Sequence, residues 1–246
     1  MSDVELLVVD EVAKRFGGVI SLTGVSLTCR ESEVLGLIGP NGSGKTTLIN
    51  VIGGLIRPDR GKVRLEGRDI TRYRPEVRAR HGLRRTFQQS MIFPGMTVGE
   101  SIKLAMEVSG SSSELKSEKW RPSSLADLLD LCGLEEMTHE RVEMLPQGKE
   151  RLLGLALALS RPCRLLLLDE PGAGISAGES RIITDAVRAV RASGTGVIVV
   201  DHHMDFLMGL VDLVVVLKDG SVIAEGAPAE IQQNAHVIEV YFGKSA

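Results

Sequence analysis

Hydrophobic and polar positions in the first part of the chain alternate in short runs that glycine and serine interrupt. The runs VELLVVDEVAKRF and GVISLTGVSLTC predict two strands that pair antiparallel. A continuous apolar run, EVLGLIG, indicates a buried strand. Directly after it, GKTTLINVIGGL predicts a helix that begins behind a glycine-rich turn.

Helical spacing replaces this alternation over residues 95–160, where SLADLLDLCGL is typical of an amphipathic helix. The polar run VSGSSSELKSEKWRPSS interrupts the pattern, and its low hydrophobicity predicts a surface loop that joins helices. Beyond this region, strand-like and helix-like stretches alternate from RLLLLDE to VDLVVVL. That alternation predicts parallel strands with helices between them, and hence an α/β core that a helical segment interrupts.

Two further stretches are typical of hairpins. In DRGKVRLEGRDIT we expect Gly61 and Gly67 to be turn residues, and in LKDGSVIAEG the dipeptide of Asp219 and Gly220 predicts a tight turn.

Composition changes this picture little but excludes some function classes. The chain has 246 residues, 43% hydrophobic and 25% charged, which suits one large α/β domain. Its formal net charge of −3 argues against a general nucleic-acid binder, which is usually basic. Cys29, Cys132 and Cys163 lack metal-site spacing and indicate buried thiols of a reducing compartment. Since we find neither a secretory signal nor an apolar run of about 18 residues, we expect a cytosolic protein.

The turn between the predicted buried strand and its helix carries the first candidate chemistry. The stretch GPNGSGKTT fits the pattern G-x-x-x-x-G-K-[ST] in the strand–turn–helix context that the pattern requires. Its backbone N–H groups can surround phosphates, Lys45 can reach the β- and γ-phosphates, and Thr46 can ligate Mg²⁺. We therefore expect a nucleoside triphosphate held by Gly39, Pro40, Asn41, Gly42, Ser43, Gly44, Lys45, Thr46 and Thr47.

An acidic pair follows the apolar run LLLL later in the chain. Asp169, at the end of this predicted strand, would hold Mg²⁺ directly or through water. Glu170 would orient or deprotonate an attacking water. A helix cap is the plain alternative for such a pair. Together with the phosphate-binding turn, however, two carboxylates with different roles predict hydrolysis.

The stretch LPQGKERLL precedes the acidic pair and indicates a helix N-terminus, because proline and glycine favour such a position. Free backbone N–H groups at a helix N-terminus can bind an anion. The stretch alone does not identify that anion.

These motifs together resemble an ATP-binding cassette (ABC) ATPase over nearly the whole chain. RRTFQQS is similar to the Q-loop of that family, SAGES to its D-loop and VVDHHM to its switch-histidine loop. LPQGK lies where the family has its signature, which caps the γ-phosphate of ATP held by the opposite subunit. The resemblance implies these further site residues: Phe16 stacked on adenine, Gln88 linking Mg²⁺ to the helical lobe, His202 as the switch histidine, Leu145, Pro146, Gln147, Gly148 and Lys149 in the signature, and Ser176, Ala177, Gly178 and Glu179 in the D-loop.

The resemblance also implies the domain organisation. Residues 1–246 would form a single ABC ATPase domain, which is a P-loop NTPase (RecA-like) α/β core with an N-terminal antiparallel β subdomain and an inserted α-helical lobe. The core would comprise residues 1–94 and 161–246. The lobe, over residues 95–160, would carry the signature.

Within that family, KRFGGVISL and the ending VIEVYFG look closest to the ATPase subunits of branched-chain amino-acid (LivG-type) importers. This resemblance implies ATP and Mg²⁺ as cofactors. It implies as partners two membrane permease subunits, a second and non-identical ATPase subunit and, indirectly, an external solute-binding protein, but no nucleic acid. The chain would lie on the cytoplasmic face of the cell membrane and power the import of hydrophobic amino acids or related small solutes.

The signature departs from the family pattern. Pro146 replaces a serine and offers neither hydroxyl nor N–H, and Gln147 replaces the first glycine. Lys149 replaces the final glutamine, and we expect its side chain to point to solvent, with a contact to the phosphate as the alternative. Gly178 and Glu179 also stand where the D-loop usually has Leu and Asp. These departures predict a weaker composite site on the partner subunit.

A basic cluster lies between the predicted hairpin and the Q-loop stretch. It comprises Arg68, Arg72, Arg74, Arg78, Arg80, Arg84 and Arg85. Nucleic-acid binding is one interpretation, but the acidic net charge favours a solvated face or a dock near anionic lipid.

Two rival functions stay open. A soluble ABC ATPase that acts on DNA, ribosomes or an iron–sulfur scaffold is the first, although this chain has one compact cassette without a coiled-coil insertion. A nucleotide-sensing subunit that hardly hydrolyses ATP is the second. Glu170 and His202 argue against the second rival, and Pro146 favours it mildly.

Overall fold

The computed structural model describes residues 4–86, 95–107 and 120–242. The strands are β1 (Glu5–Phe16), β2 (Val19–Arg30), β3 (Val34–Ile38), β4 (Arg60–Leu65), β5 (Arg68–Asp69), β6 (Leu83–Arg85), β7 (Leu165–Asp169), β8 (Gly196–Val200), β9 (Leu213–Lys218) and β10 (Ser221–Gly226). The helices are α1 (Lys45–Gly53), α2 (Pro75–Arg80), α3 (Val98–Glu107), α4 (Leu125–Leu131), α5 (Gln147–Leu159), α6 (Ala177–Ala192), α7 (Met204–Met208), α8 (Pro228–Gln233) and α9 (Ala235–Phe242). In these three ranges, no helix combines the length and the apolar character that a membrane crossing requires.

The described strands form two sheets. One has the order β2-β1-β4-β5 and is antiparallel, and the other has the order β10-β9-β3-β8-β7-β6. In the second sheet, β9, β3, β8, β7 and β6 run parallel, and β10 pairs antiparallel with β9. The structure therefore confirms the predicted antiparallel N-terminal strands and the parallel α/β core.

The parallel strands are buried on both faces, as their continuous Leu, Val and Ile runs require. Along β7, Leu166 and Leu168 pack into a core shared with the helices α3 to α6. Leu165 and Leu167 pack on the opposite side, against α1 and the antiparallel sheet. Successive side chains of a strand point to opposite faces, so this one sheet packs against both layers.

The two predicted hairpins are present, but one turn residue was wrongly assigned. Asp219 and Gly220 have positive φ angles in a two-residue turn between β9 and β10, as predicted. Gly67 lies in the turn between β4 and β5. Gly61 instead lies inside β4, beside a bulge in its pairing with β1. A Cβ at this position would overlap backbone carbonyls of β1, so the close approach requires glycine.

The helical segment begins and ends close to the predicted limits in the described residues, where α3, α4 and α5 pack on one another. Most of the predicted polar surface loop, residues 108–119, lies outside the described residues. The predicted division into core and lobe stays a prediction. The three cysteines are buried, and burial raises the pKa of the Cys132 and Cys163 thiols to about 12.

The expectation of a solvated face is wrong for part of the basic cluster. The guanidinium of Arg78 is buried, and its Nη1 donates to the carbonyl oxygens of Val51 at 2.7 Å and Ile52 at 2.6 Å. These carbonyls belong to the last turn of α1, where a cation stabilises the helix dipole. Arg84 and Arg85 also make hydrogen bonds within the chain. Arg78 and Arg85 bind groups of α1, and Arg84 binds the carbonyls of Ala79 and Pro162, so these three arginines support the fold and do not form a free basic surface.

Candidate functional site

The glycine-rich turn, residues 39–47, leaves the carboxyl end of β3 and enters α1. Gly39 has a φ of 152° and passes so close to Leu217 that a Cβ would overlap its carbonyl oxygen. At Gly42, with a φ of 81°, nothing lies within 4 Å of a Cβ position. The turn is therefore packed against the sheet on one side and open on the other, as a phosphate-binding loop must be.

The side chain of Lys45 lies along the inside of this turn. Its Nζ donates to the carbonyl oxygens of Gly39 at 2.7 Å and Pro40 at 3.0 Å. Burial lowers the pKa of Lys45, and the carboxylate of Glu170 partly opposes this effect. Ser43 is buried in the same turn, and its Oγ has no hydrogen-bond partner among the described residues. A cation and an unused hydroxyl thus face a loop that has room for an anion.

The acidic pair lies at the carboxyl end of β7. The side chain of Asp169 is 8% exposed, and its Oδ2 accepts a hydrogen bond from Nη2 of Arg85 at 2.8 Å. Glu170 follows with a φ of 51°, an unusual backbone conformation for a residue other than glycine. Its N–H donates to the carbonyl oxygen of Val200 at 2.7 Å, and its own carbonyl accepts from Nη1 of Arg151 at 2.8 Å. The backbone of Glu170 is therefore held from two sides.

The histidine loop begins at Asp201, directly after β8. The buried Asp201 accepts hydrogen bonds from the N–H of Gly172 at 2.6 Å and the N–H of His203 at 2.9 Å. The ring Nδ1 of His203 also lies 2.9 Å from its Oδ1. His202 is farther away, with its Nδ1 at 4.0 Å from the same oxygen and 57% of its side chain exposed. Asp201 thus fixes the loop, and His202 stays accessible to a ligand.

The sheet order explains how distant motifs meet. Strands β3, β8 and β7 are neighbours and run parallel, so their carboxyl ends lie at one edge. The structure therefore brings the turn with Lys45, the loop with His202, and the pair of Asp169 and Glu170 to the same edge. Gln88, the predicted Q-loop residue, lies outside the described residues.

Phe16 ends β1 with 48% of its surface exposed, so it is not a core residue. The ammonium of Lys14 lies 5.5 Å from the centre of its ring. The ring is therefore available for stacking, and its predicted contact with adenine stays a prediction.

The signature stretch, residues 145–149, does form a helix N-terminus, as predicted. Pro146 is the N-cap of α5, and no side chain caps the helix there. The expected position of Lys149 is wrong, because its Nζ donates to the carbonyl oxygen of Gly133 at 2.8 Å. This carbonyl follows the end of α4, where a cation is favourable. Lys149 thus faces neither open solvent nor the free end of α5.

The D-loop stretch, residues 176–179, forms the beginning of α6. Ser176 caps this helix, and the carboxylate of Glu179 accepts hydrogen bonds from the N–H and the hydroxyl of Ser176, both at 2.8 Å. These bonds, with the charge of Lys149, lower the pKa of Glu179. The same carboxylate lies against Gly148, where a Cβ would overlap it. The D-loop and the signature of one chain are therefore in contact.

Sequence patterns missed three residues of this site: Arg85, Arg151 and Asp201. Arg85 and Arg151 act on motif residues through strand pairing and helix packing, which local spacing does not specify. Asp201 acts on His203, two residues away, and on the N–H of the distant Gly172. In the sequence, Arg85 stands out only as part of the basic cluster. For Asp201 the sequence offers one signal, which is its position directly after a predicted buried strand. A carboxylate at such a position needs hydrogen-bond donors.

Comparison with known proteins identifies two family matches. The ABC transporter family matches residues 22–173, and the branched-chain amino acid ATP-binding cassette transporter family matches residues 221–246. The chain is 34% identical over 247 residues to the probable branched-chain amino acid transport ATP-binding protein LivG of Archaeoglobus fulgidus, with 98% of this chain and 96% of that protein covered. It is 33% identical to the high-affinity LivG protein of Salmonella typhimurium, with 98% of each chain covered.

A third relative differs in the transport that its name describes. The lipopolysaccharide export system ATP-binding protein LptB of Acidithiobacillus ferridurans is 34% identical, with 97% of each chain covered. Among solved structures, a nucleotide-free ATP-binding cassette from an ABC transporter superposes with a TM-score of 0.84 at 30% identity, covering 98% of this chain and 100% of that one. The ADP conformation of an ATP-binding cassette gives a TM-score of 0.83 at 30% identity, with 98% and 99% covered.

Proposed function

The chain belongs to the ABC transporter ATP-binding family, and we propose that it powers an importer of branched-chain amino acids or related small solutes. As a member of this family, it is a nucleotide-binding ATPase subunit of a transporter. One observation carries the proposal: Lys45, Asp169, Glu170 and His202 lie at one sheet edge in a chain whose C-terminal residues match the branched-chain amino acid transporter family.

In this proposal the phosphates of ATP lie in the turn of residues 39–47. Lys45 exchanges its bonds to the loop carbonyls for contacts with the β- and γ-phosphates, and the loop N–H groups donate to the remaining oxygens. Because Lys45 already lies inside the turn, little rearrangement of its side chain is needed. Phe16 stacks on adenine through its exposed ring.

Asp169, Thr46 and Gln88 would hold Mg²⁺. The donor set fits this ion, since Mg²⁺ prefers carboxylate, hydroxyl and amide oxygens. Thr46 is exposed at the start of α1, and Asp169 ends the buried strand β7. When bound there, Mg²⁺ would supply positive charge that neutralises the phosphates during hydrolysis.

Glu170 would accept the proton of the water that attacks the γ-phosphate. Its backbone bonds to Val200 and Arg151 hold the residue at the end of β7 and so restrict where the carboxylate can reach. His202 would contact the γ-phosphate from the neighbouring strand end, and its exposure is compatible with that role. Gln88 would link the bound nucleotide and Mg²⁺ to the helical lobe.

The free end of α5 would face ATP bound to a second ATPase subunit. Pro146 lacks the hydroxyl and N–H of a serine, and the carboxylate of Glu179 lies against Gly148. A missing donor to a charged phosphate costs about 1.5–3 kcal/mol. Two copies of this chain would have two weakened sites, so we propose a non-identical partner that supplies a complete signature.

The proposed site for a membrane permease subunit is a cavity of about 420 Å³. It lies between α2 and β6 on one side and α5 on the other, and its apolar wall includes Leu55, Pro75, Ala79, Leu83, Leu157 and Ala158. Arg84 and Glu76 provide polar contacts in the same wall. We propose that a short helix of each of two permease subunits enters such a cavity. This contact would keep the chain at the cytoplasmic face of the membrane.

Reconstitution tests the direction and the solute. The chain is purified with the membrane proteins that accompany it and placed in proteoliposomes, together with the solute-binding protein of the same system. We expect ATP-dependent uptake of leucine, isoleucine or valine that requires this binding protein, and no stimulation of turnover by DNA or RNA. Export of a lipid, or turnover that no membrane partner changes, would contradict the proposed importer.

A further inference from the structure

A buried arginine connects the two halves of the nucleotide site. Nη2 of Arg85 donates to Oδ2 of Asp169 at 2.8 Å, and Nη1 donates to Oδ1 of Asn50 at 2.7 Å. The side chains of Arg85 and Asp169 are 9% and 8% exposed. The guanidinium therefore holds two oxygens from different elements in its fixed planar fork.

The two partners of Arg85 belong to different elements of the nucleotide site. Asn50 lies on α1, the helix that begins with Lys45, and Asp169 ends β7. Arg85 ends β6, which pairs with β7, so three elements meet at one guanidinium. Removal of one member of a buried ion pair leaves the other charge uncompensated. Without Arg85, the Asp169 carboxylate would therefore lose the charged contact that fixes its position.

We propose that Arg85 is a positioning residue for Mg²⁺: by binding Oδ2 of Asp169, it would leave Oδ1 to ligate the metal. The inference rests on the proposed function, in which Asp169 ligates Mg²⁺. Groups that orient a metal ligand commonly change metal affinity by about 10–100-fold when removed. The positive charge of Arg85 acts in the opposite direction, because it competes with Mg²⁺ for the carboxylate. We expect orientation to outweigh this repulsion, since the guanidinium binds Oδ2 and the metal would bind the other carboxylate oxygen.

The neighbouring arginine provides a matched control. Arg84 lies on the same strand, but its guanidinium donates to the backbone carbonyls of Pro162 and Ala79. Arg84→Met removes an equal charge and a comparable set of hydrogen bonds without touching Asp169. Arg85→Lys keeps the charge while losing the fork that reaches two partners at once.

The experiment measures the ATP dissociation constant of the full chain with excess Mg²⁺ and again with EDTA. The ratio of the two constants reports the gain in affinity that Mg²⁺ provides, and thermal unfolding of each variant is recorded in parallel. We expect Arg85→Met to reduce this ratio by about 10-fold, Arg85→Lys to reduce it less, and Arg84→Met to leave it unchanged. If the role of Arg85 is purely structural, Arg85→Met and Arg84→Met will both lower the unfolding temperature, and neither will change the ratio.

Asp169→Asn separates failure of the inference from failure of the proposed function. If this variant keeps the full gain from Mg²⁺, Asp169 is not a metal ligand and the proposed function is wrong at that residue. If it loses the gain while Arg85→Met keeps or increases it, the inference alone is overturned. In the variant with both substitutions, Arg85→Met should have no further effect on the ratio.

Discussion

At the scale of single residues, Phe16 has two candidate roles: packing in the core or stacking on adenine. Its ring is half-exposed at the end of β1, with Lys14 beside one face, so burial does not account for an aromatic residue there. Stacking on adenine would account for it. The ring offers a π-face without a hydroxyl, so recognition through Phe16 would depend on stacking and not on hydrogen bonds.

Phe16→Ala should therefore weaken ATP binding, whereas Phe16→Tyr should change it little. Base–aromatic stacking contributes about 1–3 kcal/mol, which corresponds to a rise in the dissociation constant of about 5-fold or more. Titration calorimetry of both variants measures this rise. Val4→Ala, which truncates an exposed apolar residue just before the other end of β1, is the control. Equal ATP affinity in the Phe16→Ala and Val4→Ala variants would exclude Phe16 from the base site.

At the scale of elements, the N-termini of α5 and α6 lie side by side. Glu179 completes the capping box of α6, and the same carboxylate lies against Gly148 in the first turn of α5. A contact within the chain thus requires glycine at position 148, independently of the phosphate that is proposed to approach it. An acidic group at this place also adds negative charge where a γ-phosphate would arrive.

A double-mutant cycle measures this contact. In the wild-type background, Gly148→Ala forces the Glu179 carboxylate away from Ser176 and weakens the cap of α6, which opposes the better helix propensity of alanine. In the Glu179→Ala background the methyl group meets no carboxylate, so the substitution should become more favourable. We expect a coupling free energy of about 0.5–3 kcal/mol in urea unfolding. A coupling indistinguishable from zero would mean that the two helix ends are independent.

The packing of the elements also explains which features of the site can be predicted from the sequence and which cannot. The turn of residues 39–47 and the pair of Asp169 and Glu170 could be predicted, because their chemistry is contained in consecutive residues. The contact between Arg85 and Asp169 spans 84 residues and depends on the pairing of β6 with β7. The wrong expectation for Lys149 has the same cause, since the carbonyl of Gly133 reaches it only through helix packing.

At the scale of the whole molecule, the carboxyl edge of the parallel sheet would bind the chain's own nucleotide, and the helical segment would contact the nucleotide of a partner subunit. The carboxyl edge of β3, β8 and β7 carries the residues proposed for hydrolysis, and α5 carries the signature. Arg151 links the two regions, because it lies on α5 and donates to the carbonyl of Glu170. In the proposed assembly, Arg151 would therefore connect the partner's nucleotide directly to Glu170, the proposed general base of this chain.

The central claim is that this chain hydrolyses ATP with Glu170 as the general base, and one comparison tests it most directly. ATP affinity and turnover are measured for the assembled transporter with Glu170→Gln or Lys45→Ala in this chain. Glu170→Gln should retain ATP binding and reduce turnover at this chain's site by about 10²–10⁴-fold, as expected for loss of a positioned proton acceptor. Lys45→Ala should instead weaken binding itself, through loss of charge at the phosphates. Near-normal turnover in the Glu170→Gln transporter would contradict the account.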